Sequence, residues 1–164
     1  ISNSGLIFVS TSLDLKLKNL NETKELGEKL AKCCSRIESS CVIYLKGDLG
    51  VGKTTLAQYF IRYFGFDKVK SPTYTLVESY QDEKVDIHHF DCYRLTDPEE
   101  LEYIGIRDYL RVNSLQIIEW PELGKGALAK ADISIKLSGN GDTRNASIRF
   151  ESEIGKSIIE CAIG

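Results

Sequence analysis

The sequence predicts a three-layer α/β fold with a mixed, mostly parallel central sheet and a C-terminal β-hairpin. Short apolar runs of strand length, at residues 42–45 and 115–118, alternate along the chain with segments of helical periodicity. Residues 74–91 have a hairpin pattern, which adds an antiparallel strand and makes the sheet mixed. The chain has 164 residues, 42% of them hydrophobic, so we expect one core and a single domain over residues 1–164.

The N-terminal part predicts a strand followed by a helix. Polar and apolar residues alternate over residues 13–17, so we expect one strand or extended arm within residues 6–20. Asn21 suits the N-cap of a helix, and Glu22 and Glu25 suit its first turn, because acidic side chains favour the positive end of the helix dipole.

The middle of the chain predicts two antiparallel strands and then a helix. Residues 74–80 and 85–91 are rich in β-forming residues and are separated by a polar turn, which is typical of a hairpin. Asp97 at the N-cap and Pro98 at the first helical position then predict a helix that continues to Tyr109.

The C-terminal part predicts a second hairpin. Residues 133–137 and 147–150 flank the turn sequence Gly139-Asn140-Gly141-Asp142. This hairpin contains no recognisable chemical motif, so we interpret it as structural.

A glycine-rich sequence between a predicted strand and a predicted helix has the clearest chemical pattern. It reads Gly47-Asp48-Leu49-Gly50-Val51-Gly52-Lys53-Thr54 and satisfies G-x-x-x-x-G-K-[ST], the phosphate-binding loop or P-loop. Glycines let several backbone N–H groups point at phosphates, and the following helix adds its own unpaired N–H groups. The alternative is an ordinary glycine-rich connector. The pattern predicts a P-loop NTPase-like domain whose nucleotide contacts come from Asp48, Leu49, Gly50, Val51, Gly52, Lys53, Thr54 and Thr55.

Two acidic residues end predicted strands and suit a metal site. Lys53 is expected to reach the β- and γ-phosphates, and the Thr54 hydroxyl to ligate Mg²⁺. A P-loop also needs an acid that holds or orients this ion, and both Asp91 and Glu119 follow apolar strands. The residues alone do not decide between the two, and either one is otherwise an ordinary acid at a strand end.

Charge and hydropathy restrict the classes of partner. The chain has 21 basic and 24 acidic residues and a formal net charge of −3, which argues against an autonomous nucleic-acid binder. No apolar run approaches the ~20 residues of a membrane span, so we expect no membrane partner.

The cysteines favour a reducing compartment. Cys33, Cys34, Cys41, Cys92 and Cys161 are odd in number and form no C-x-x-C pair, which argues against a disulfide framework and a zinc ribbon. We expect them to be core or helix residues of a cytoplasmic protein.

Four short sequences resemble those of the TsaE family, once called YjeE. They are G-D-L-G at residues 47–50, S-P-T-Y-T-L-V at 71–77, H-F-D-C-Y-R-L at 89–95 and E-W-P-E at 119–122. Their combination, in family order, is far more specific than a P-loop alone.

This resemblance implies a small bacterial ATPase that uses ATP and Mg²⁺. Its family assists the formation of threonylcarbamoyl-adenosine beside the anticodon of tRNA, where the partner proteins TsaD and TsaB carry out the transfer. The chain would bind that complex, hydrolyse ATP slowly, and meet tRNA only indirectly.

The resemblance also implies roles for individual residues. Lys53, Asp91 and Glu119 would be catalytic, with Asp91 orienting the metal or the attacking water. Thr54 and Glu119 would hold Mg²⁺, and Thr73 would sense the γ-phosphate.

Thr23 and Trp120 would complete the nucleotide site. Thr23 would lie near the adenine, although the Glu22-Thr23 sequence departs slightly from the family pattern. The alternative for Trp120 is a plain core aromatic. His89 suits a structural histidine better than a general base, and Arg94 suits either a nearby acid or a partner.

Two other functions remain as alternatives. One is a small kinase acting on a metabolite, which needs an arginine-rich lid; here the arginines are scattered, and Arg107 and Arg111 are the nearest to a cluster. The other is a nucleotide-gated binding module in which ATP orders residues 71–77 and hydrolysis is incidental. No Asn-Lys-x-Asp sequence is present, so ATP is preferred over GTP.

Overall fold

A computed structural model describes residues 11–110 and 113–164. Over these residues the chain forms seven strands, β1 Ser12–Leu17, β2 Cys41–Lys46, β3 Val77–Gln81, β4 Asp86–Asp91, β5 Ser114–Glu119, β6 Ile133–Ser138 and β7 Arg144–Phe150. Four α-helices accompany them, α1 Leu20–Cys34, α2 Lys53–Tyr63, α3 Glu99–Tyr103 and α4 Glu153–Ile163, with 3-10 helices at Ile106–Tyr109 and Pro121–Gly124. None of the helices in the described part of the chain has the length and apolar character to cross a membrane.

All seven strands join one sheet in the order β1-β7-β6-β2-β5-β4-β3. The pairs formed by β2 with β5, β2 with β6, and β4 with β5 are parallel, while β1 with β7, β6 with β7, and β3 with β4 are antiparallel. Five strands therefore point one way and two the other, which confirms the predicted mixed, mostly parallel sheet.

The sheet separates two apolar clusters, and this makes the fold three-layered. On one face, Ile43 and Leu45 of β2 join the cluster that packs against α1, α2 and α4. On the other face, Val42 joins a smaller cluster with Leu101 of α3 and Ile106. Side chains alternate between the faces of a strand, so a continuous apolar strand such as β2 supplies both clusters. The predicted α/β fold class is confirmed.

Two helix boundaries differ from the sequence prediction. The N-cap of α1 is Asn19, not Asn21: its side chain accepts a hydrogen bond from the backbone N–H of Glu22. The helix after Asp97 ends at Tyr103, because Gly105 adopts φ 73° and the chain continues as a short 3-10 helix.

Both predicted hairpins are present, and one helix was not predicted. β3 pairs with β4 and β6 with β7, in antiparallel register. Helix α4 follows β7, with Ser152 as its N-cap accepting from the Gly155 N–H. Residues 6–10 of the predicted N-terminal strand lie outside the described residues, and β1 accounts for the rest of it.

The cysteines also depart from expectation. Cys33 of α1 and Cys161 of α4 form a disulfide across 128 positions. Cys34, Cys41 and Cys92 are free and buried, as predicted for core residues. The pairing depends on α4 packing against α1, a contact that the spacing of the cysteines does not reveal.

Candidate functional site

The P-loop, residues 47–54, connects the carboxyl end of β2 to the N-terminus of α2. Its three glycines, Gly47, Gly50 and Gly52, have φ values of 137°, 77° and 108°, a region that other residues rarely adopt. A Cβ at Gly47 would also collide with the backbone carbonyl oxygen of Leu137 on β6. Two of these glycines therefore serve the turn itself, and Gly47 also permits close packing against the neighbouring strand.

Lys53 is folded back into the P-loop. Its Nζ donates hydrogen bonds to the carbonyl oxygens of Gly47 at 2.6 Å and Asp48 at 2.8 Å, and the side chain is only 4% exposed. Burial lowers the pKa of Lys53, while the nearby carboxylates of Glu119 and Asp91 act in the opposite direction. The result is a desolvated positive charge at the loop where phosphates are expected.

Glu119 at the end of β5 contacts two other site residues. Its Oε1 accepts a hydrogen bond from the Thr54 hydroxyl at 2.8 Å, and its Oε2 lies 2.7 Å from Nε2 of His89. Glu119 and His89 are buried, and no other described residue bonds to Nδ1 of His89. His89 is thus held against Glu119, not beside Asp91 alone, and this contact suits a structural histidine.

Asp91 ends β4 directly beside Glu119, because the two residues are register partners in parallel strands. Its Oδ1 accepts from the backbone N–H of Tyr93 at 3.0 Å, and its Oδ2 accepts from the Thr73 hydroxyl at 3.3 Å. Burial raises the pKa of the Asp91 carboxyl above its usual value, and the charge of Glu119 adds to this effect. The site therefore holds two carboxylates with different partners.

Trp120 lies at the edge of the site. Its ring centroid is 4.4 Å from Nζ of Lys53, a cation–π distance, and 5.1 Å from that of Tyr93. Its backbone adopts φ 54°, which is unusual for a bulky residue and turns the chain directly after Glu119. Trp120 contacts both the P-loop lysine and the smaller apolar cluster.

These residues line one open cleft of about 340 Å³, whose walls are Leu49, Gly50, Gly52, Lys53, Thr54, Thr55, Thr73, Asp91, Tyr93, Arg94, Glu119 and Trp120. Thr23 and Val51 instead line an adjoining cavity of about 220 Å³, which shares Gly50, Gly52 and Thr55 with the cleft. Asp48 takes part through its carbonyl oxygen, which binds Lys53. The predicted residues thus divide between two connected spaces around the P-loop.

The oxygen donors in the cleft fit a magnesium ion. Mg²⁺ in nucleotide sites takes one or two protein oxygen ligands and completes its shell with phosphates and water. The Thr54 hydroxyl and the Glu119 carboxylate meet directly, whereas Asp91 is held by Thr73 and Tyr93. This arrangement favours Thr54 and Glu119 as the pair that would hold the ion.

The arginines within residues 11–110 and 113–164 form no lid of the kind that a kinase needs. The Arg94 guanidinium lies 4.3 Å from the ring centroid of Tyr74, a side chain that is 83% exposed. Arg107 pairs with Glu102 at 3.7 Å and lines a different cavity. Arg111 lies outside the described residues.

Two residues contribute to this region without any signal in the sequence pattern. Tyr93, next to Asp91, packs against Trp120, and Arg144 of β7 donates a hydrogen bond from Nε to the carbonyl oxygen of Val51 at 2.7 Å. No local signal marked Arg144, because its contact with the P-loop joins positions 93 residues apart.

Comparisons with known proteins agree on one family. The family model described as "Threonylcarbamoyl adenosine biosynthesis protein TsaE" matches residues 17–147. A Haemophilus influenzae protein named tRNA threonylcarbamoyladenosine biosynthesis protein TsaE is 46% identical over 136 residues, which cover 81% of this chain and 86% of that protein. Proteins of the same name from Rickettsia felis and Bacillus subtilis are 36% and 32% identical, over 75% and 78% of this chain and 71% and 80% of their own.

A solved structure has the same fold. The crystal structure of Bacillus subtilis YdiB matches with a TM-score of 0.75 at 23% identity, covering 93% of this chain and 94% of that one. At this identity the likeness supports the arrangement of strands and helices alone.

Proposed function

Because the chain belongs to the TsaE family of threonylcarbamoyl adenosine biosynthesis proteins, we propose that it binds ATP and Mg²⁺ at the P-loop and hydrolyses ATP slowly. Hydrolysis supports the threonylcarbamoyladenosine modification of tRNA by homologues of TsaD and TsaB. The chain is then an accessory ATPase and not the modifying enzyme, and it acts in the cytoplasm.

One observation carries the nucleotide part of this proposal. The hydroxyl of Thr54, directly after the P-loop lysine, lies 2.8 Å from Oε1 of Glu119 at the end of the neighbouring strand. A phosphate-bound Mg²⁺ needs a hydroxyl and a carboxylate side by side in this way. Two motifs that are 65 residues apart in sequence therefore meet where a metal–phosphate complex would bind.

Individual residues of the chain would have separate roles in ATP hydrolysis. Lys53 leaves the P-loop carbonyl oxygens and neutralises the β- and γ-phosphates. Bound Mg²⁺ would add charge neutralisation between those phosphates. The buried carboxylate of Asp91 orients the attacking water and accepts its proton, and its raised pKa strengthens it as an acceptor.

The position of the arginine in the cleft predicts slow ATP hydrolysis by the isolated chain. Phosphoryl transfer is strongly accelerated when an arginine stabilises charge on the transferring group. Arg94 lines the cleft, but its guanidinium is stacked on the exposed ring of Tyr74. We infer that a partner completes the site, either by supplying a cation or by releasing Arg94.

The partner assignment follows from family membership and charge. A net charge of −3 suits a chain that reaches tRNA through other proteins. TsaD and TsaB homologues are the partners that the family implies.

Release of phosphate from γ-labelled ATP tests the proposal in three mixtures. They contain the chain alone, the chain with TsaD and TsaB homologues and tRNA, and the chain with small-molecule acceptors. We expect slow release alone, faster release with the partners, and no label on any acceptor. Label on a metabolite would support a kinase instead, and fast release without partners would contradict the need for completion in trans.

A site variant and a matched control test whether tRNA modification requires ATP hydrolysis or only ATP binding. Glu119→Gln should abolish the stimulated release and tRNA modification together, while Glu83→Gln, an exposed change in the turn between β3 and β4, should change neither. Modification that persists without hydrolysis would favour the nucleotide-gated binding module.

A further inference from the structure

A cavity of about 400 Å³ lies away from the P-loop, over the face of the sheet that carries the smaller apolar cluster. One wall comes from Ile106, Arg107 and Leu110, in and directly after the first 3-10 helix, and the other comes from residues 126–129. Gln116 of β5 forms the floor. None of these residues lines either cavity around the P-loop, so a ligand here would leave the nucleotide cleft free.

Both walls are held in place by contacts of their own. In the first wall, the ring centroid of Tyr109 lies 4.9 Å from that of His88 and 5.4 Å from that of Phe90. In the second wall, the carbonyl oxygen of Ala129 accepts a hydrogen bond from the Tyr44 hydroxyl of β2. The cavity is therefore a preformed space, and its volume lies within the range of small-ligand pockets, about 300–1,000 Å³.

Gln116 brings an amide without a hydrogen-bond partner to the floor of this cavity. The residue is only 1% exposed, yet its side chain makes no hydrogen bond with any other residue in the described ranges. Its register neighbours cannot supply one: Val42 is apolar, and both ring nitrogens of His88 are engaged, by Ser79 at 2.7 Å and by Asp86 at 2.8 Å. A buried amide without a partner is unfavourable unless a ligand or water binds it.

The walls restrict the chemistry of such a ligand. Ile106, Leu110 and Leu128 make them aliphatic, and no aromatic ring of the described residues lines the cavity. Sites for nucleobases usually contain stacking aromatic side chains, whereas these walls suit an aliphatic side chain. The Gln116 amide offers both a donor and an acceptor, which match the N–H and the C=O of one peptide unit.

Arg107 places a positive charge at the mouth of the cavity. Its side chain is 84% exposed, and its Nη2 lies 3.7 Å from the Glu102 carboxylate, a surface pair of little strength. The guanidinium can therefore turn to bind a carboxylate of a ligand. In the C-terminal residue of a peptide, a carboxylate, a peptide unit and a side chain stand next to one another, so one residue presents all three features.

We propose that this cavity binds the C-terminal residue of a peptide, with its aliphatic side chain between the two walls, its peptide unit on Gln116 and its carboxylate on Arg107. The inference is independent of the proposed nucleotide binding, because it uses none of the residues that line the P-loop cleft. It gives Gln116, which no sequence motif marks, a role in recognition.

Two small probes test this assignment by NMR titration of the isotope-labelled full chain. N-acetyl-leucine carries the peptide unit, the aliphatic side chain and the carboxylate, and N-acetyl-leucinamide lacks only the charge. We expect N-acetyl-leucine to bind in the millimolar range, as is typical of a ligand of about 12 non-hydrogen atoms. Its saturable shifts should centre on the amides of residues 106–110 and 126–129 and spare the P-loop. N-acetyl-leucinamide should bind about tenfold more weakly, the loss expected for one charge-assisted interaction.

Three variants assign the contacts. Gln116→Leu, which keeps the approximate size of the side chain, should weaken both probes at least about tenfold. Arg107→Gln should weaken N-acetyl-leucine to the level of N-acetyl-leucinamide and leave the uncharged probe unchanged. Arg149→Gln, an exposed change on β7, is the matched control and should alter neither affinity. The thermal unfolding midpoint of Gln116→Leu should not fall, because no hydrogen bond within the chain is lost.

Four outcomes would overturn the inference. They are no saturable shift at residues 106–110 and 126–129, equal affinity of the two probes, unchanged affinities in Gln116→Leu, and a lower unfolding midpoint of that variant, which would mean that Gln116 is bonded within the fold. Adenosine that shifts the same residues at a lower concentration than N-acetyl-leucine would assign the cavity to a nucleobase instead. Because shifts are read residue by residue, adenosine bound beside the P-loop would not imitate this result.

Discussion

The Thr54 hydroxyl donates a hydrogen bond to Oε1 of Glu119 at 2.8 Å, and this contact joins the P-loop to the carboxyl end of β5. The other carboxylate oxygen is occupied as well, because Oε2 lies 2.7 Å from Nε2 of His89. Glu119 is only 2% exposed, so this buried charge depends on both neighbours. The Thr54 hydroxyl and Oε1 of Glu119 would together hold a metal ion, and the His89 contact is on the other carboxylate oxygen.

Glu119→Gln is predicted to remove the magnesium-dependent part of nucleotide affinity. Glutamine keeps the shape of the side chain and an oxygen for the Thr54 hydroxyl but loses the negative charge that a divalent cation needs. We expect ADP affinity with Mg²⁺ to fall by at least about 10- to 100-fold, because replacing even a residue that only supports a metal ligand typically costs that much. Calorimetry with Mg²⁺ and with a chelator measures this difference. Equal affinity of variant and unmodified chain in Mg²⁺ would exclude Glu119 as a ligand.

Histidines 88 and 89 allow a matched comparison on one strand. Both are buried, but His88 bonds to Ser79 at 2.7 Å and Asp86 at 2.8 Å, away from Glu119. Replacing either by Phe removes a buried polar partner and should lower the free energy of unfolding by about 1–3 kcal/mol.

Of the two variants, only His89→Phe should also weaken magnesium-dependent ADP binding, because His89 contacts Glu119 and His88 does not. Chemical denaturation measures the first effect and calorimetry the second. If His88→Phe loses metal dependence to the same extent, the effect comes from destabilising β4 and not from the contact between His89 and Glu119.

The core of the site was predictable because its signals are local. The P-loop is identified by a pattern of eight consecutive residues. Asp91 and Glu119 each stand at the end of an apolar run of strand length. Parallel strands bring their carboxyl ends to one edge of a sheet, so two such acids meet once β4 and β5 are neighbours. Whether Thr54 contacts one acid or the other depends on distances that no pattern encodes.

The rest of the site was not predictable because it depends on packing between distant segments. Arg144 meets Val51 only because β7 pairs with β6, which in turn pairs with β2. Likewise, Cys161 reaches Cys33 only through the packing of α4 on α1. The predicted N-cap of α1, Asn21, was two residues too late. Asn19 and Asn21 are both suitable residue types, and the start of the helix at Leu20 makes Asn19 the cap.

The Cys33–Cys161 disulfide is predicted to make stability depend on redox conditions. It closes a long loop between two helices, and such a bond typically contributes about 2–4 kcal/mol to the free energy of unfolding. Addition of a thiol reductant should therefore lower the thermal unfolding midpoint. Cys161→Ser should show the lower midpoint with or without reductant. If the thermal unfolding midpoint of the unmodified chain is the same with and without reductant, the disulfide does not form in solution.

Trp120 is predicted to report nucleotide binding by fluorescence. It is the only tryptophan in the chain, and the Lys53 ammonium lies 4.4 Å from its ring centroid. Phosphates that draw Lys53 away would change the charge next to the indole, so emission should change saturably as ATP is added. Lys53→Ala should give a different starting emission and lose the saturable change, with ATP affinity weakened at least tenfold. The exposed Lys29→Ala is the matched control. An unaltered titration in Lys53→Ala would show that the P-loop is only a connector.

Asp91→Asn is predicted to stabilise the nucleotide-free chain while slowing hydrolysis. Asparagine still accepts the hydrogen bond from the Tyr93 N–H and can pair with the Thr73 hydroxyl, but it does not carry a buried charge. Loss of the carboxylate as proton acceptor should slow ATP hydrolysis about 100-fold or more. Thermal unfolding and phosphate release measure the two effects at neutral pH.

The pH dependence of the stability difference shows whether the Asp91 charge is its cause. Burial raises the pKa of Asp91 in the folded chain, so the folded state binds this proton more tightly than the unfolded state does. At neutral pH the unmodified chain bears the full cost of the buried charge, and Asp91→Asn is the more stable protein. As the pH falls through the raised pKa, the folded chain takes up the proton first and the difference should shrink. A difference that stays constant with pH would mean that packing, and not the charge of Asp91, separates the two proteins.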